Sequence, residues 1–482
     1  MLVIELLYAL SAVLLGVYGL NSLILTGIYL RRRRDTLPDP PPPAEWPWVT
    51  VQLPIYNELH TVERLLTTVA GLDYPRHRLE IQALDDSTDA TRPLVAQVVE
   101  RLREQGVDVV HITRPDRAGF KAGALAAGLA QATGELIAIF DADFMPAADF
   151  LLRVVPHFAD PTVGCIQARW GHLNRDHSVF TQTQALGADG HFVVEQGARS
   201  RGGLFMNFNG TAGVWRTACI EDAGGWQGDT LTEDLDLSYR AQLRGWRIAY
   251  LPQVVVLAEL PPQVSAFKLQ QARWAQGSIE TALKLIGFLL RSDQPWRVKL
   301  EGVVHLCGYL VHPLMMAVIL LSFPMSFSHS WLLLAAPWLM VTAVGPSLMC
   351  AVAQAADGEG WRHRLRWLPL LVMLGMGLSL SNTGAVLRAV FGVRRDFQRT
   401  PKFDLRQSGD TWVGSAYALR GNALVWAELV LAVSLLALLA MPGFRWTFAP
   451  WLLLYAGGFG YVATLDLYQN YQLHRWLARQ PT

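Results

Sequence analysis

The stretch ELIAIFDAD, Glu135–Asp143, indicates how the first half of the chain folds. It opens with a short apolar run, which is typical of a buried strand, and it ends in two carboxylates. Earlier runs with the same character are WVTVQL (Trp48–Leu53), LEIQAL (Leu79–Leu84) and VDVVHI (Val107–Ile112). Helical stretches such as Glu58–Ala70 and Thr91–Gln105 separate the runs. This alternation of strand and helix predicts a parallel, doubly wound α/β sheet.

Polar residues follow each of these predicted strands. Ligands of a parallel α/β sheet bind beyond the carboxyl ends of its strands, so these residues form the candidate site. They are Tyr56 and Glu58 after the first strand, Asp85 and Asp86 after the second, Lys121 after the third, and Asp141 and Asp143 after the fourth. The turns contain neither a Walker A motif nor GxGxxG, which argues against an ATPase or a dehydrogenase.

Asp141 and Asp143 are separated by one residue at the end of a predicted strand. Two carboxylates in this arrangement can hold Mg²⁺ or Mn²⁺, and the cation would also hold a nucleotide diphosphate. A solvated acidic turn is the alternative interpretation. The second acidic cluster, two strands earlier, favours the metal site.

The other strand-end residues allow two interpretations each. Asp85 and Asp86 can accept hydrogen bonds from a base or a ribose, but an Asx-turn also explains them. Lys121 opens a helix in a glycine-flanked segment and can neutralise diphosphate charge. A surface lysine is the alternative for that position.

Two motifs further along the chain supply candidate catalytic groups. In Thr232–Asp234, TED, a carboxylate of Glu233 or Asp234 can act as a general base toward a sugar hydroxyl. The same acids also suit the first turn of a helix capped by Thr232.

The second motif is QQARW, in which Gln270, Arg273 and Trp274 share one face of a helix. Arg273 can stabilise a departing diphosphate, and Trp274 can stack on a sugar ring. An interfacial amphipathic helix with a Trp anchor is a compatible alternative.

Taken together and in this order, these motifs resemble the D, D, D, QxxRW signature of processive family 2 glycosyltransferases. They are most similar to the cellulose-synthase-like group that includes plant glucomannan synthases. The likeness extends from Trp48 to about Leu285. It is carried by QALDDSTD, FKAGAL, FDADF, IQARW, FNGTAGVWR, EDAGGW, TEDLDLSYRA and QQARW.

The resemblance implies a GT-A-type nucleotide-diphospho-sugar transferase domain and an inverting, metal-dependent hexosyltransferase. Its cofactor would be Mg²⁺ or Mn²⁺, and its donor would be UDP-glucose or GDP-mannose. It implies nucleoside contacts from Tyr56, Glu58 and Asp85 or Asp86, a diphosphate contact from Lys121, and metal and nucleotide binding by Asp141 and Asp143. The acceptor end would be lined by Phe208, Asn209 and Gly210, and Asp234 would be the general base. Diphosphate and acceptor contacts would come from Gln270, Arg273 and Trp274.

One later segment, Phe397–Lys402 (FQRTPK), resembles the FxVTxK gating loop of cellulose synthases, which closes over the donor. Thr400 and Lys402 match that pattern, whereas Arg399 stands where the pattern has Val. A basic juxtamembrane loop that binds anionic lipid headgroups is the alternative.

Bulk composition indicates a membrane protein. Hydrophobic residues make up 51% of the chain, and the mean hydropathy is +0.23. The net charge of +1 gives no indication of a nucleic-acid partner. The four cysteines are scattered without a CxxC pair, so a zinc site and a disulfide framework are not expected, and a reducing cytosolic setting fits.

Several apolar runs exceed or approach the roughly 20 residues that a helix needs to cross a bilayer. The first, residues 2–30, precedes Arg31–Arg34, which favours a retained anchor with its arginines in the cytosol over a cleaved signal peptide. The other predicted spans are residues 302–322, 331–353, 423–441 and 448–467. Basic stretches flank residues 367–391 on both sides, so this run is predicted to be interfacial, giving five crossings, with six as the alternative.

The expected product is a β-linked glucan or mannan that is elongated at the cytosolic face and translocated. The alternative is a glycolipid synthase that adds one hexose to diacylglycerol or ceramide.

The expected location is the cell membrane, which the chain crosses several times, with the catalytic domain in the cytosol. The predicted domains are a membrane helix at 1–30, a basic and Pro-rich linker at 31–47, the transferase at 48–262, interfacial helices at 263–295, and a membrane domain at 296–482 that includes a gating-like loop at 394–406.

Overall fold

The structure is a computed structural model, and it describes residues 1–35, 39–328, 336–358, 360–393 and 398–479, without the side chains of 336–343. Its first large unit is built on one seven-stranded sheet. The strands are β1 (Val49–Ile55), β2 (Leu79–Asp85), β3 (Val109–Thr113), β4 (Leu136–Ile139), β5 (Val163–His172), β6 (Gly213–Arg216) and β7 (Arg247–Ala258).

The strands lie in the order β3-β2-β1-β4-β6-β5-β7. The four strands predicted from the sequence are mutually parallel, and Ile55 pairs with Asp85, so the ends of β1 and β2 lie side by side. The prediction of a wholly parallel sheet is wrong, because β6 runs antiparallel to both β4 and β5. This four-residue strand brings the preceding segment, which includes Asn209 and Gly210, to the edge where β4 ends.

Helices cover both faces of the sheet. Along β4, Leu136 and Ala138 join one buried cluster, while Ile137 and Ile139 join the other, as expected for a strand buried on both sides. The helices of this unit are α2 (Val62–Ala70), α3 (Thr91–Glu104), α4 (Phe120–Leu129), α5 (Phe150–Val154), α6 (Val179–Asp189), α7 (Gln196–Gly202), α8 (Thr217–Asp222) and α9 (Glu233–Leu243). A π-helical turn, Gly190–Glu195, joins α6 to α7.

The helix that carries Arg273 is 28 residues long and runs against the start of α9. This helix, α10, spans Val264–Arg291. Gly277 permits the close approach, since a Cβ there would lie 2.6 Å from Thr232 Cγ2 and 2.8 Å from the Thr232 backbone nitrogen. The contact brings the QxxRW face of α10 near the TED segment.

The remaining helices form a second unit, in which the N-terminal helix packs among the C-terminal ones. Tyr8 and Ala12 share a buried cluster with Met316 and Phe459. The helices are α1 (Leu2–Arg32), α11 (Trp296–Leu306), α12 (Val311–Met325), α13 (Ala336–Ala356), α14 (Trp361–Arg364), α15 (Leu368–Gly377), α16 (Ser379–Val390), α17 (Leu424–Leu439) and α18 (Ala449–Leu477).

Among the described residues, three helices are long and apolar enough to cross a bilayer: Leu2–Arg32, Gly308–Met325 and Trp446–Leu477. The pair Trp361–Gly377 and Ser379–Val390, bent by 41°, would be a fourth if it forms one span. The predicted span at 423–441 corresponds to a helix of only 16 residues, and part of the predicted span at 331–353 lies outside the described residues. The count of five or six crossings stays a prediction.

Candidate active site

Lys121 lies at the centre of the candidate site. It stands in the first turn of α4, and its Nζ donates to Asp141 Oδ1 at 2.6 Å and to the Gly210 carbonyl at 2.9 Å. Glu233 Oε1 lies 3.9 Å away. Burial alone would lower the pKa of Lys121, but the charges of Asp141 and Glu233 outweigh it and raise that pKa. The ammonium group of Lys121 therefore links the end of β4, the Gly210 segment and the start of α9.

Asp234 faces the same place from the first turn of α9. Its Oδ1 accepts from the Leu235 backbone N–H at 2.8 Å. Burial, followed by repulsion from Glu233, raises the pKa of Asp234 to about 7, while Lys121 and Arg273 act in the opposite direction. A carboxylate with this pKa can accept a proton near neutral pH and is suited to general-base work.

Gly210 forms the wall beside Asp234. Its φ is +82°, and a Cβ built there would lie 2.8 Å from Asp234 Oδ2 and 3.5 Å from Lys121 Nζ. Only glycine adopts this backbone conformation readily and leaves room for the carboxylate. The requirement for glycine thus has a steric cause at the site itself.

Arg273 approaches this group from α10. Burial lowers its pKa, and the charges of Glu233, Asp141 and Asp234 act against this effect. Gln270 and Trp274 are half-buried on the same helix, Gln270 about one turn before Arg273 and Trp274 directly after it. Thr232 is the N-cap residue of α9 but makes no side-chain capping bond, because its hydroxyl lies 3.2 Å from Thr281 Oγ1.

Asp141 and Asp143 have different surroundings. The Asp141 side chain is 37% exposed, whereas that of Asp143 is 3% exposed and its Oδ2 lies 2.7 Å from Lys402 Nζ. The described residues contain no group of three His, Cys, Asp or Glu side chains that could hold a metal ion. Mg²⁺ is commonly bound by one or two carboxylates together with substrate phosphates, so this pair fits such an ion.

The expected nucleoside end of the site contains two arginines that the sequence analysis missed. Arg114 binds Asp86 with two nitrogens, Nε at 3.0 Å and Nη2 at 2.5 Å. The guanidinium of Arg117 lies 3.3 Å from the centre of the Tyr56 ring. Both follow β3 at the sheet edge where ligands were expected, and this position was the signal that could have identified them.

Asp85 does not line this end. Its side chain is fully buried, and its oxygens accept from the Ser87 backbone N–H at 2.8 Å and lie 2.9 Å from His111 Nε2. Burial would raise its pKa, but the bonds to His111 and Ser87 lower it. The expectation of an Asp85 nucleoside contact is therefore corrected. Asp85 holds the turn at Ser87 and the His111 ring through buried hydrogen bonds, and Asp86 is the nearer of the two to the surface.

Phe208 also differs from expectation. Its side chain is fully buried and packs edge-on against Trp215, with ring centres 5.6 Å apart. The side chain belongs to the core beneath the site and does not line an acceptor surface. Asn209, next in sequence, is half-buried and hydrogen-bonded to His191 and Gln196.

The segment after residue 397 lies over the β4 and β7 ends. Lys402 pairs with Asp143, and Glu259, just past β7, accepts from the backbone N–H groups of Phe403 and Asp404 at 2.8–3.2 Å. Burial raises the pKa of Glu259 to about 7. Thr400 is buried, and its hydroxyl has no hydrogen-bond partner among the described residues. Phe397, the first residue of the predicted gating motif, lies outside the described residues.

Arg399, which departs from the expected motif, also has a partner at the site. Its Nη1 lies 3.1 Å from Glu58 Oε2, and its guanidinium lies 4.2 Å from the centre of the Tyr417 ring. Burial raises the pKa of Glu58 to about 8, and Arg399 opposes that shift. The substitution of Arg for Val in the motif therefore links the loop to the end of β1.

Comparison with known proteins identifies the family of the domain that carries this site. Residues 46–277 match the family described as Glycosyltransferase like family 2. Glucomannan 4-beta-mannosyltransferase 1 of Oryza sativa subsp. japonica is 38% identical over 291 residues, which is 57% of this chain and 55% of that protein. Glucomannan 4-beta-mannosyltransferase 2 of Arabidopsis thaliana is 42% identical over 259 residues, 52% of this chain and 48% of that protein. The chain thus spans about half the length of the curated relatives it matches.

A solved structure shares the fold. The mannosyltransferase PcManGT from Pyrobaculum calidifontis, in complex with GDP-Man and Mn2+, superposes with a TM-score of 0.50 and 23% identity, over 80% of this chain and 100% of that chain. The fold class predicted from the sequence, a GT-A-type domain together with helices suited to a membrane, is confirmed. Residues 46–277 therefore form a glycosyltransferase domain of family 2.

Proposed function

We propose that this chain transfers mannose from GDP-mannose to a growing β-linked mannan or glucomannan, with inversion, at the cytosolic face of a membrane. The observation that carries the proposal is the convergence of Lys121, Asp141 and Asp234 around Gly210, with Arg273 on the helix that packs against Thr232 of the TED segment. The printed names of the curated relatives, glucomannan 4-beta-mannosyltransferases, support mannose as the sugar.

Asp234 is the general base of the proposed reaction. Its carboxylate takes the proton of the acceptor hydroxyl while that oxygen attacks the anomeric carbon of the donor. The bond from this carbon to the diphosphate breaks on the opposite face, so an α-linked donor gives a β-linked product. One base and one stabilised leaving group are sufficient for this displacement.

Lys121 and Arg273 stabilise the departing diphosphate. Both are half-buried cations with acids near them, and a diphosphate that enters between them exchanges hydrogen bonds with groups that are already in place. Such preorganised charge is worth more in a water-poor site than in bulk solvent. Asp141 and Asp143 would hold a divalent cation, which when bound adds positive charge next to the same diphosphate.

The proposed membrane setting rests on charge and hydropathy. Helix α1 ends in Arg31 and Arg32 and is followed by Arg33 and Arg34, which favours a cytosolic position for this end. The 398–406 segment contacts the site through Lys402, so both lie on one side of the membrane.

The test uses the purified protein in lipid nanodiscs with Mn²⁺ or Mg²⁺ and radiolabelled GDP-mannose or UDP-glucose. We expect label in an ethanol-insoluble product that a β-mannanase digests, formed from GDP-mannose. A chloroform-soluble product would support a glycolipid synthase instead, and a glucanase-sensitive product from UDP-glucose would replace mannose by glucose. Absence of transfer from either donor, with the protein folded, would contradict the proposal.

A further inference from the structure

The wall of the site beside Asp234 is held by a network that the mechanism above does not use. The network begins at the π-helical turn Gly190–Glu195, which interrupts the helix between α6 and α7. Such turns occur frequently at functional sites, because the extra residue redirects the side chains that follow. Gly190 packs tightly here, since a Cβ would lie 2.9 Å from Cys350 Sγ of α13.

The π turn and the first residue of α7 each present one side chain to Asn209. His191 Nε2 lies 3.1 Å from Asn209 Nδ2, and Gln196 Nε2 donates to Asn209 Oδ1 at 2.6 Å. The Asn209 backbone N–H donates to Gln167 Oε1 at 2.8 Å. Both ends of the Asn209 amide and its backbone are therefore fixed, one residue before Gly210.

This geometry determines which nitrogen of His191 carries the proton. The Asn209 amide nitrogen can only donate, so His191 Nε2 has to accept and must be unprotonated. The proton of a neutral imidazole is then on Nδ1, which lies 2.9 Å from Glu195 Oε2. The other Glu195 oxygen accepts from Arg199 Nε at 3.0 Å.

Glu195 remains ionised in this network. Burial would raise its pKa, but the hydrogen bond from His191 and the charge of Arg199 hold that pKa well below its usual range. Its carboxylate therefore accepts the Nδ1 proton of His191 across the working range of pH. The orientation of the imidazole, and through it that of Asn209, follows from this acceptor.

We propose that His191 and Glu195 are positioning residues of this site, which hold Asn209, and so the Gly210 wall, against Asp234 through a neutral imidazole protonated on Nδ1. The inference deepens the proposed function and rests on it, because the wall matters only if Asp234 is the base. Protonation of His191 removes the acceptor that Asn209 requires.

Asn209→Asp tests the proposal with a change at one atom. Aspartate keeps the oxygen to which Gln196 donates, and it replaces the donor that faces His191 by an acceptor. The variant consequently needs a protonated His191, whereas the wild type needs a neutral one. The sign of the pH effect is therefore opposite in the two proteins.

The measurement is the ratio of transfer rates, N209D to wild type, between pH 8 and pH 5.5, with GDP-mannose and Mn²⁺ in nanodiscs. We expect the ratio to rise about five- to tenfold as pH falls, since the variant gains a charge-assisted hydrogen bond to protonated His191 while the wild type loses a neutral one. The same comparison in a His191→Ala background should lack this rise, because the charge added at position 209 acts on Asp234 in both backgrounds. Other groups around His191 are present in all four proteins and cancel in the comparison: Glu195, Arg199, Asp189, Glu301, His305, Tyr250 and Tyr309.

Melting temperatures of the same four proteins provide a readout that does not need transfer. We expect the N209D protein to gain stability relative to the wild type as pH falls, and to show no such gain once His191 is Ala. A flat rate ratio in active enzymes, or a rise that persists without His191, would overturn the inference and leave the proposed function standing. If no transfer occurs at all, the proposed function fails, and the melting series still decides whether the network exists.

Discussion

At the residue scale, burial and charge act against each other on the carboxylate of Asp234. Burial and Glu233 raise its pKa to about 7, and Lys121 limits the rise. A base works only when ionised, so transfer should increase with pH and level off above about 7.

Rates between pH 5.5 and 8.5 at limiting donor concentration check this expectation. Glu233→Gln removes the repulsion, so the fall of the transfer rate on the acid side should occur at lower pH in this variant. If the wild-type rate falls only near the ordinary pKa of a carboxylate, or if Glu233→Gln leaves the fall at the same pH, the base is another group.

A second prediction at this scale concerns Gly210. Gly210→Ala should lower transfer by about 100-fold, because the new methyl group would meet Asp234 Oδ2 at 2.8 Å. The matched control is Gly203→Ala, since Gly203 also has a positive φ of +64° but has nothing within 4 Å of a built Cβ. Equal losses in the two variants would attribute the effect to backbone strain and not to the contact.

At the scale of elements, one of the contacts that hold the 398–406 segment over the site is the ion pair between Lys402 and Asp143. Lys402→Ala removes the partner of Asp143 and leaves that carboxylate 3% exposed and uncompensated. Without nucleotide, trypsin should cleave after Arg399 and Arg406 several-fold faster in this variant than in the wild type. Lys299→Ala is the control, because half-buried Lys299 bonds to the Leu290 carbonyl and has no contact with the 398–406 segment among the hydrogen bonds and ion pairs of the described residues. Unchanged cleavage after Lys402→Ala would mean that other contacts hold the segment.

The elements also show how far sequence alone reaches. The runs that became β1 to β4 were recognisable because each is a short apolar stretch followed by polar residues. Strand β6 has four residues and runs antiparallel, so no local pattern distinguished it. Phe208 lies inside the motif FNGTAGVWR, but the sequence of a motif does not show which of its side chains faces the core. The Glu58–Arg399 pair joins residues 341 positions apart, and spacing cannot predict such a contact.

At the scale of the whole molecule, the site and the 398–406 segment have to share one side of the membrane. With five crossings, Gly409 is cytosolic and Met441 is on the opposite side. A cysteine at Gly409 should therefore react with a membrane-impermeant thiol reagent only after cells are opened, and one at Met441 in intact cells. Three of the four native cysteines are buried, which keeps the background low. The reverse labelling pattern would favour six crossings and would separate the loop from the site.

The central claim is that Asp234 acts as the base in a cleft that also binds the donor diphosphate. Its most direct test is the transfer rate of Asp234→Asn with GDP-mannose and Mn²⁺, beside Asp229→Asn, the same chemical change at a carboxylate 52% exposed that pairs with Lys284. We predict a loss of about 10²- to 10⁴-fold for Asp234→Asn, with nucleotide binding retained, and a near wild-type rate for Asp229→Asn. An Asp234→Asn protein that transfers mannose at the wild-type rate would contradict the account.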